Sequence, residues 1–492
     1  MPGTVKSELL PDADRSHKCD WQEKVSWKRN LPLDKSHFIT EIFDLIQLQE
    51  VLMNFANQVK NTLLQNIADM AKVSWMFSKH PGKDFTRKRK IDFQSLLHFS
   101  ICMEAATLRH ELLKYFSYDP STLSISAFYQ QRNKLLPETF PFLFQQFNSH
   151  FPITLYKGKY RLLACDGSAF TFTRNPQDTE SYFPPDGKTT NGYNQVHLAA
   201  LFDLLSRRFT DCTVQPIRKK NEFLAFTQMI DRCNSLDAVP IFIADRGFHS
   251  FIVFAHAIER NAYFLVRAKD INMRRLPGHD IPEEDCFDVR VDRILTRSQS
   301  KKKRKRPDLE EQYRFICRDV TFDYIAHGSG EEYPISLRIL RFKISDDTYE
   351  NIITNLPASS FSTDEIQYLY GLRWGIETSF RELKHVIGTI NFHSKKREYI
   401  EMEIWARLLL YNFCSIITSH VVIRQKKRKY IYQVNYTVAY NACHYLLRLH
   451  HGETPPDIES LIGQNILPIR PGRKYARQHR FRVPASFTYR FS

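Results

Sequence analysis

The 492-residue chain lacks any paired-cysteine spacing: its nine Cys, among them Cys19, Cys102, Cys165, Cys286 and Cys414, are scattered, with no C-x-x-C and no metal-ligand interval. That pattern argues against a disulfide scaffold and a zinc finger and fits reduced thiols. A long apolar run is also missing. The most apolar stretch, Leu408 to Ile423, is broken by Asn412, Ser415, Thr418, Ser419 and His420, which reads as a core helix and not a membrane span. Met1 through Asp20 is mixed in charge and has no apolar h-region, so no secretory signal is expected. The expected location is the cytoplasm, with no membrane partner.

Positive charge is abundant. Lys and Arg number 70 against 54 Asp and Glu, a formal net charge of +16 on a chain that is 42% apolar. This describes a globular protein whose field favours polyanions. Pattern changes divide it into an N-terminal extension (1–37), a helical domain (38–150), a first core segment (151–269), a β-rich stretch (270–348), a second core segment with a helical region (349–445) and a basic tail (446–492). In the helical domain, Ser126 to Lys134 reads as a Ser-capped helix with a donor-rich face. It is a candidate DNA-recognition helix using Arg132 and Lys134, or a plain surface helix packed through Phe128 and Leu135.

From Tyr160 the pattern becomes α/β. Tyr160 to Cys165 reads as a strand, Val196 to Leu205 and Phe209 to Ile217 as a hairpin, and Val239 to Ala244 and Tyr263 to Val266 as buried strands. Helices are expected at Glu222 to Cys233 and Phe251 to Arg260. Strand-like Tyr313 to Phe322 and Ile335 to Ile344 follow the basic run Lys301 to Arg306. Asn351 to Leu356 then resumes the core, and one long helix starts at the capping-box pattern Ser362-x-x-Glu365.

Two acids stand in matching contexts. Asp166 follows the apolar run Leu162 to Cys165, and Asp245 follows Ile241 to Ala244, each at an expected strand end where α/β sheets present ligands. On the long helix, at about 100° per residue, Tyr370, Arg373, Glu377, Arg381 and Lys384 share one stripe bordering an apolar stripe. Such a stripe is either a solvated face of helical ion pairs or one wall of a cleft. Three carboxylates suit two divalent cations about 3.5–4 Å apart, Mg²⁺ or Mn²⁺, acting on a phosphodiester.

The spacing Tyr370-x2-Arg373-x3-Glu377-x6-Lys384, with Asp166 in Cys-Asp-Gly-Ser and Asp245 in Ala-Asp-Arg-Gly-Phe, resembles the Y-R-E-K signature of bacterial insertion-sequence DDE transposases, family four. The resemblance implies a core similar to ribonuclease H interrupted by a β-rich insertion, with Asp166, Asp245 and Glu377 as catalytic metal ligands. It also implies phosphate contacts from Tyr370, Arg373 and Lys384, with Arg381 where some relatives carry Lys. Implied partners are double-stranded element-end and target DNA, bound by a dimer or higher oligomer near the bacterial nucleoid. Some relatives stack a Trp from the insertion on a flipped base. This insertion has no Trp, leaving Tyr313, Phe315 or Tyr324 as candidates.

The segment Ile466 to Ser492 has no acid, and its Arg473, Lys474 and Arg477 are expected DNA contacts. His197 and His249, although near the acidic segments, are expected to be structural. Rival readings are a catalytically silent DNA-binding descendant and a metal-dependent nuclease without strand transfer.

Overall fold

The computed structural model describes residues 55–185, 192–234, 238–269, 282, 284–298, 312–345, 348–389, 391–423, 429–449, 453 and 455–470. Among the described residues five α-helices come first: α1 (Phe55–Lys72), α2 (Phe93–Cys102), α3 (Leu108–Tyr115), α4 (Ile125–Arg132) and α5 (Thr139–Ser149). The first core segment follows as β1 (Tyr160–Phe172), β2 (Tyr182–Phe183), β3 (Tyr193–Asp203), β4 (Arg208–Pro216), α6 (Glu222–Arg232), β5 (Val239–Ala244), α7 (Phe251–Glu259) and β6 (Tyr263–Ala268). Next come β7 (Phe287–Thr296), β8 (Tyr313–Phe315), β9 (Glu332–Ser345) and β10 (Thr348–Thr354). The last described elements are α8 (Thr363–Gly371), α9 (Trp374–His385), α10 (Arg397–His420), β11 (Ile431–Val434), α11 (Tyr436–Arg448), α12 (Ile458–Gln464) and β12 (Ile466–Ile469).

A ten-stranded mixed sheet organises the core in the order β2-β3-β1-β5-β6-β10-β9-β7-β8, with β4 also on β3. At its centre β1, β5 and β6 run parallel. Their apolar runs need cover on both faces, as parallel strands do. One face packs Leu163, Cys165, Phe242, Ala244, Phe264 and Val266 against α6 and α7. The other packs Leu162, Ile241, Ile243 and Leu265 against Ile366 and Leu369 of α8.

The strands expected as an insertion do not stand apart. Antiparallel pairing of β9 with β10 and of β7 with β9 continues the central sheet. Beyond them, Asp323 reaches back to α7, where His256 lies between Asp231 of α6 at 3.0 Å and Asp323 at 3.1 Å. The stretch Leu408 to Thr418 lies within α10 and is buried throughout, as expected of a core helix. Among the described residues no helix is long and apolar enough to cross a membrane.

Two local expectations change. The helix α4 is capped by Ser124, whose side chain accepts from the Ala127 amide, and not by Ser126. The single helix expected from Ser362 is two helices joined at Leu372 and Arg373. Amides of Arg373, Gly375 and Ile376 there donate to carbonyls three residues back, tightening the turn between two glycines, Gly371 and Gly375, of low helix propensity. Ser362 does cap α8, accepting from the Glu365 amide at 3.3 Å. Glu365 does not complete the box, because its carboxylate accepts from Tyr156 and Lys157.

Candidate active site

Asp166 lies inside its strand, not at its end. Antiparallel pairing carries β1 on to Phe172 against β3, whereas the parallel pairing with β5 stops at Cys165 opposite Ala244. Asp166 and Asp245 are therefore the next residues on two neighbouring parallel strands, and Asp245 keeps an extended backbone (φ −80°, ψ 179°). Side-chain alternation turns both toward the face of Leu162, Ile241 and Ile243, which α8 covers. A backbone amide steadies each carboxylate: Gly167 N donates to Asp166 at 2.7 Å and Gly247 N to Asp245 at 2.6 Å.

Glu377 reaches this face from the first turn of α9, and the Arg373 guanidinium at the helix joint donates to it at 2.8 Å. Burial pushes the Asp166 carboxyl up to about 6, with the Gly167 amide and Arg373 opposing and the charges of Asp245 and Glu377 adding. These three carboxylates thus share one electrostatic environment. The phenol of Tyr370 is pushed up to about 12, first by burial, and its hydroxyl is buried without a hydrogen-bond partner. Lys384 donates to the Ala169 carbonyl of β1 at 3.0 Å and lies over the Phe170 ring, while Arg381 is exposed.

Sequence reading missed one pair at this face. Arg267 of β6 bonds Glu350 of β10 at 3.0 Å, and Glu350 in turn senses Arg373. No spacing rule joins positions so far apart, although a charge inside an otherwise apolar strand is a visible signal. Burial lowers the His249 imidazole to about 4, and its Nε2 is buried without a hydrogen-bond partner.

Arg132, expected on a DNA-facing surface, lies in the interior. It is buried against Glu403 at 3.3 Å and stacks 4.3 Å from the Tyr399 ring, because the face of α4 carrying Phe128 and Gln131 packs inward. Arg132→Met is expected to destabilise the fold by about 3–5 kcal/mol in denaturant unfolding, since it takes the guanidinium away from the buried Glu403 and leaves that carboxylate to His393 and Ser394. Lys134 is half-buried, donating to Gln131 at 3.0 Å. Arg473, Lys474 and Arg477, and the run Lys301 to Arg306, lie outside the described residues. The ring of Tyr324 packs against His256, Phe322 and Tyr333. Tyr313 and Phe315 sit on β8, five strands from β5 and roughly 24 Å away at ordinary strand spacing, too far to stack at the acidic face.

The model of the transposase DDE domain family matches residues 157–413, just over half of the chain, and takes in Asp166, Asp245 and the whole Tyr370 to Lys384 motif. The chain belongs to this family. The DDE-domain chain is also 27% identical over 162 residues to the transposase InsG for insertion sequence element IS4 of Escherichia coli strain K12, an alignment spanning 30% of this chain and 35% of that protein. The chain thus spans about a third of that relative's length. The piggyBac transposase synaptic complex with hairpin DNA, a solved structure, covers 85% of this DDE-domain chain and 87% of its own at 10% identity and a TM-score of 0.41.

The acidic face of the DDE domain suits a hard cation. Its donors are carboxylate oxygens, and a divalent ion would relieve the mutual repulsion that helps hold Asp166 near 6. Among the described residues, no three His, Cys, Asp or Glu side chains are already gathered closely enough to hold an ion. Arg373 fills that role at Glu377.

A pH dependence follows for the metal-free protein. The folded state holds the Asp166 proton more tightly than the unfolded chain, so this group favours folding at low pH and loses that advantage as pH rises from about 4 to about 6. Above that window the buried charge costs about 3 kcal/mol. Asp166→Asn is expected to raise the unfolding midpoint at pH 8 and leave it nearly unchanged at pH 4.

Proposed function

We propose that this protein is a DNA transposase that binds the terminal inverted repeats of its insertion sequence and catalyses metal-dependent strand cleavage and strand transfer. In this reading β1, β3, β5, β6 and the helices around them form a ribonuclease H-like core, residues 270–348 are its insertion, and helices within 38–150 belong to a DNA-binding region. The observation that carries it is the equal register of Asp166 and Asp245 on adjacent parallel strands, facing the side to which α9 brings Glu377.

Asp166, Asp245 and Glu377 would hold two Mg²⁺ or Mn²⁺ ions. When bound, such ions supply activation of an attacking oxygen and charge neutralisation on a leaving oxygen. The protein's own part is electrostatic and positional. Arg373, Arg381 and Lys384, with the Tyr370 hydroxyl, clamp the phosphates beside the scissile bond, and Arg267 extends the same cationic border. Asp166 is half-buried in the wall of the site, with its carboxylate held by the Gly167 amide. Water is the first nucleophile, and the freed 3′-hydroxyl then attacks target DNA at the same site. Two element ends require at least a dimer on the DNA, and the setting is cytoplasmic, at the nucleoid.

The test is incubation of the full chain with labelled DNA bearing the element's ends plus target DNA, with Mg²⁺ or with chelator. Metal-dependent cleavage followed by joined products supports transposition. Cutting without joints supports a nuclease, and binding without cutting supports a silent DNA-binding protein.

A further inference from the structure

Directly after Asp166 stands a glycine whose Cβ position is already taken by a neighbouring ring. A Cβ on Gly167 would lie 2.5 Å from Cε1 and 2.6 Å from Nε2 of His197. Gly167 and His197 are diagonal neighbours across the β1–β3 ladder, where Gly167 pairs with Ala199 and Ala169 with His197. Alternation places the ring on the side of Cys165 and Ala199, beneath the strand and opposite the Asp166 carboxylate. His197 is only 3% exposed, and its Nε2 is 2.9 Å from the Glu222 carboxylate in the first turn of α6. Its other nitrogen, Nδ1, is buried with no hydrogen-bond partner.

A polar ring held in that state is not stabilised by its own hydrogen bonding alone, because an orphaned buried nitrogen costs about 1–3 kcal/mol. What the ring does is fill the space that Gly167 leaves. The Gly167 amide on the other side of that contact donates to Asp166. We propose that His197, seated by Glu222, is a positioning residue for Asp166: it supports the underside of Gly167 and so fixes the amide that aims the first carboxylate. This inference rests on the reading of Asp166 as a metal ligand, and it resembles the outer-shell support that orients ligands in known metal sites.

The experiment measures Mn²⁺ binding to the full chain by calorimetry and by the loss of free-ion EPR signal, with no DNA present, alongside the thermal midpoint. Asp166→Asn is the control for the metal reading, and the test set is Gly167→Ala, His197→Ala and the double variant. Each single change is expected to weaken Mn²⁺ binding by roughly 10-fold. The double variant is expected to lose no more than either single one, because trimming the ring makes room for the new methyl group. His197→Gln, which keeps a donor for Glu222 and most of the volume, is expected to recover most of the affinity and covers the case in which an alanine variant does not fold. Losses that multiply in the double variant, or that follow the thermal midpoint, overturn the proposal. If Asp166→Asn abolishes Mn²⁺ binding and the His197 set leaves it unchanged, positioning fails and the metal site stands. If Asp166→Asn binds Mn²⁺ as the parent does, the metal reading itself fails.

Discussion

Glu377→Gln is expected to lower metal-dependent cleavage of element-end DNA by roughly 10³-fold or more, with DNA affinity changed by no more than about twofold. The substitution keeps the size of the side chain and an acceptor for Arg373, so the joint between α8 and α9 keeps its hydrogen bond. It removes one negative charge from the face shared with Asp166 and Asp245. In the proposed site a hard divalent cation loses its third carboxylate, while the phosphate contacts proposed for Arg381 and Lys384 do not depend on that charge. Single-turnover cleavage on labelled DNA, paired with a gel-shift titration, separates the two effects. Cleavage within tenfold of the parent would remove Glu377 from the chemistry.

Arg373→Gln is expected to move two quantities in opposite directions. Without DNA, Arg373 donates to Glu377 at 2.8 Å and competes with any cation for that carboxylate. Its removal should tighten Mn²⁺ binding to the free protein, because the ion no longer displaces a guanidinium. With DNA present the same change should slow cleavage by roughly 10²–10³-fold, since a preorganised donor to the phosphate has gone. Calorimetry on the free protein and single-turnover rates on DNA measure the pair. A guanidinium serving only as a structural strut would weaken both. In the proposed function Arg373 is a charge that changes partners: it is held by Glu377 in the free protein and would pass to the phosphate when DNA is in place.

The acids were legible in the sequence because each follows a short apolar run, and apolar runs of that length form buried strands. The run ending at Ala244 matches β5 at both ends. Register was not legible. That Asp166 and Asp245 occupy the same level depends on the pairing of Tyr160 with Val239, set by packing between segments almost eighty residues apart. Nor was the joint at Arg373: stripe geometry assumes uniform turns, and three hydrogen bonds to carbonyls three residues back, spanning Tyr370 to Ile376, alter the phase between Tyr370 and Glu377. At Arg132 the residue type pointed to DNA, but its neighbours Phe128 and Gln131 turn that face of α4 into the interior. Strand β7 was missed although Phe287, Val289, Val291 and Arg293 alternate with polar residues, a signal weakened by the charges on both faces. His197 gave no sequence signal beyond its type, since what makes it informative is the missing Cβ across the ladder.

The way β9 and β7 extend the sheet beyond β10 bears on how freely this chain can be rebuilt. A loop-borne module can be exchanged or shortened at little cost, and because β6 and β10 are antiparallel neighbours a short turn could in principle join them. Such a graft would strip β10 of its ladder with β9 and turn a central strand into a bare edge, with Ile352 and Ile353 losing the neighbours Leu340 and Ile339. Bare edges recruit other chains. The segment between β6 and β10 is therefore a cantilever of the sheet that holds the acids, and chimeras that swap it must carry β7 and β9 with it or yield aggregating protein.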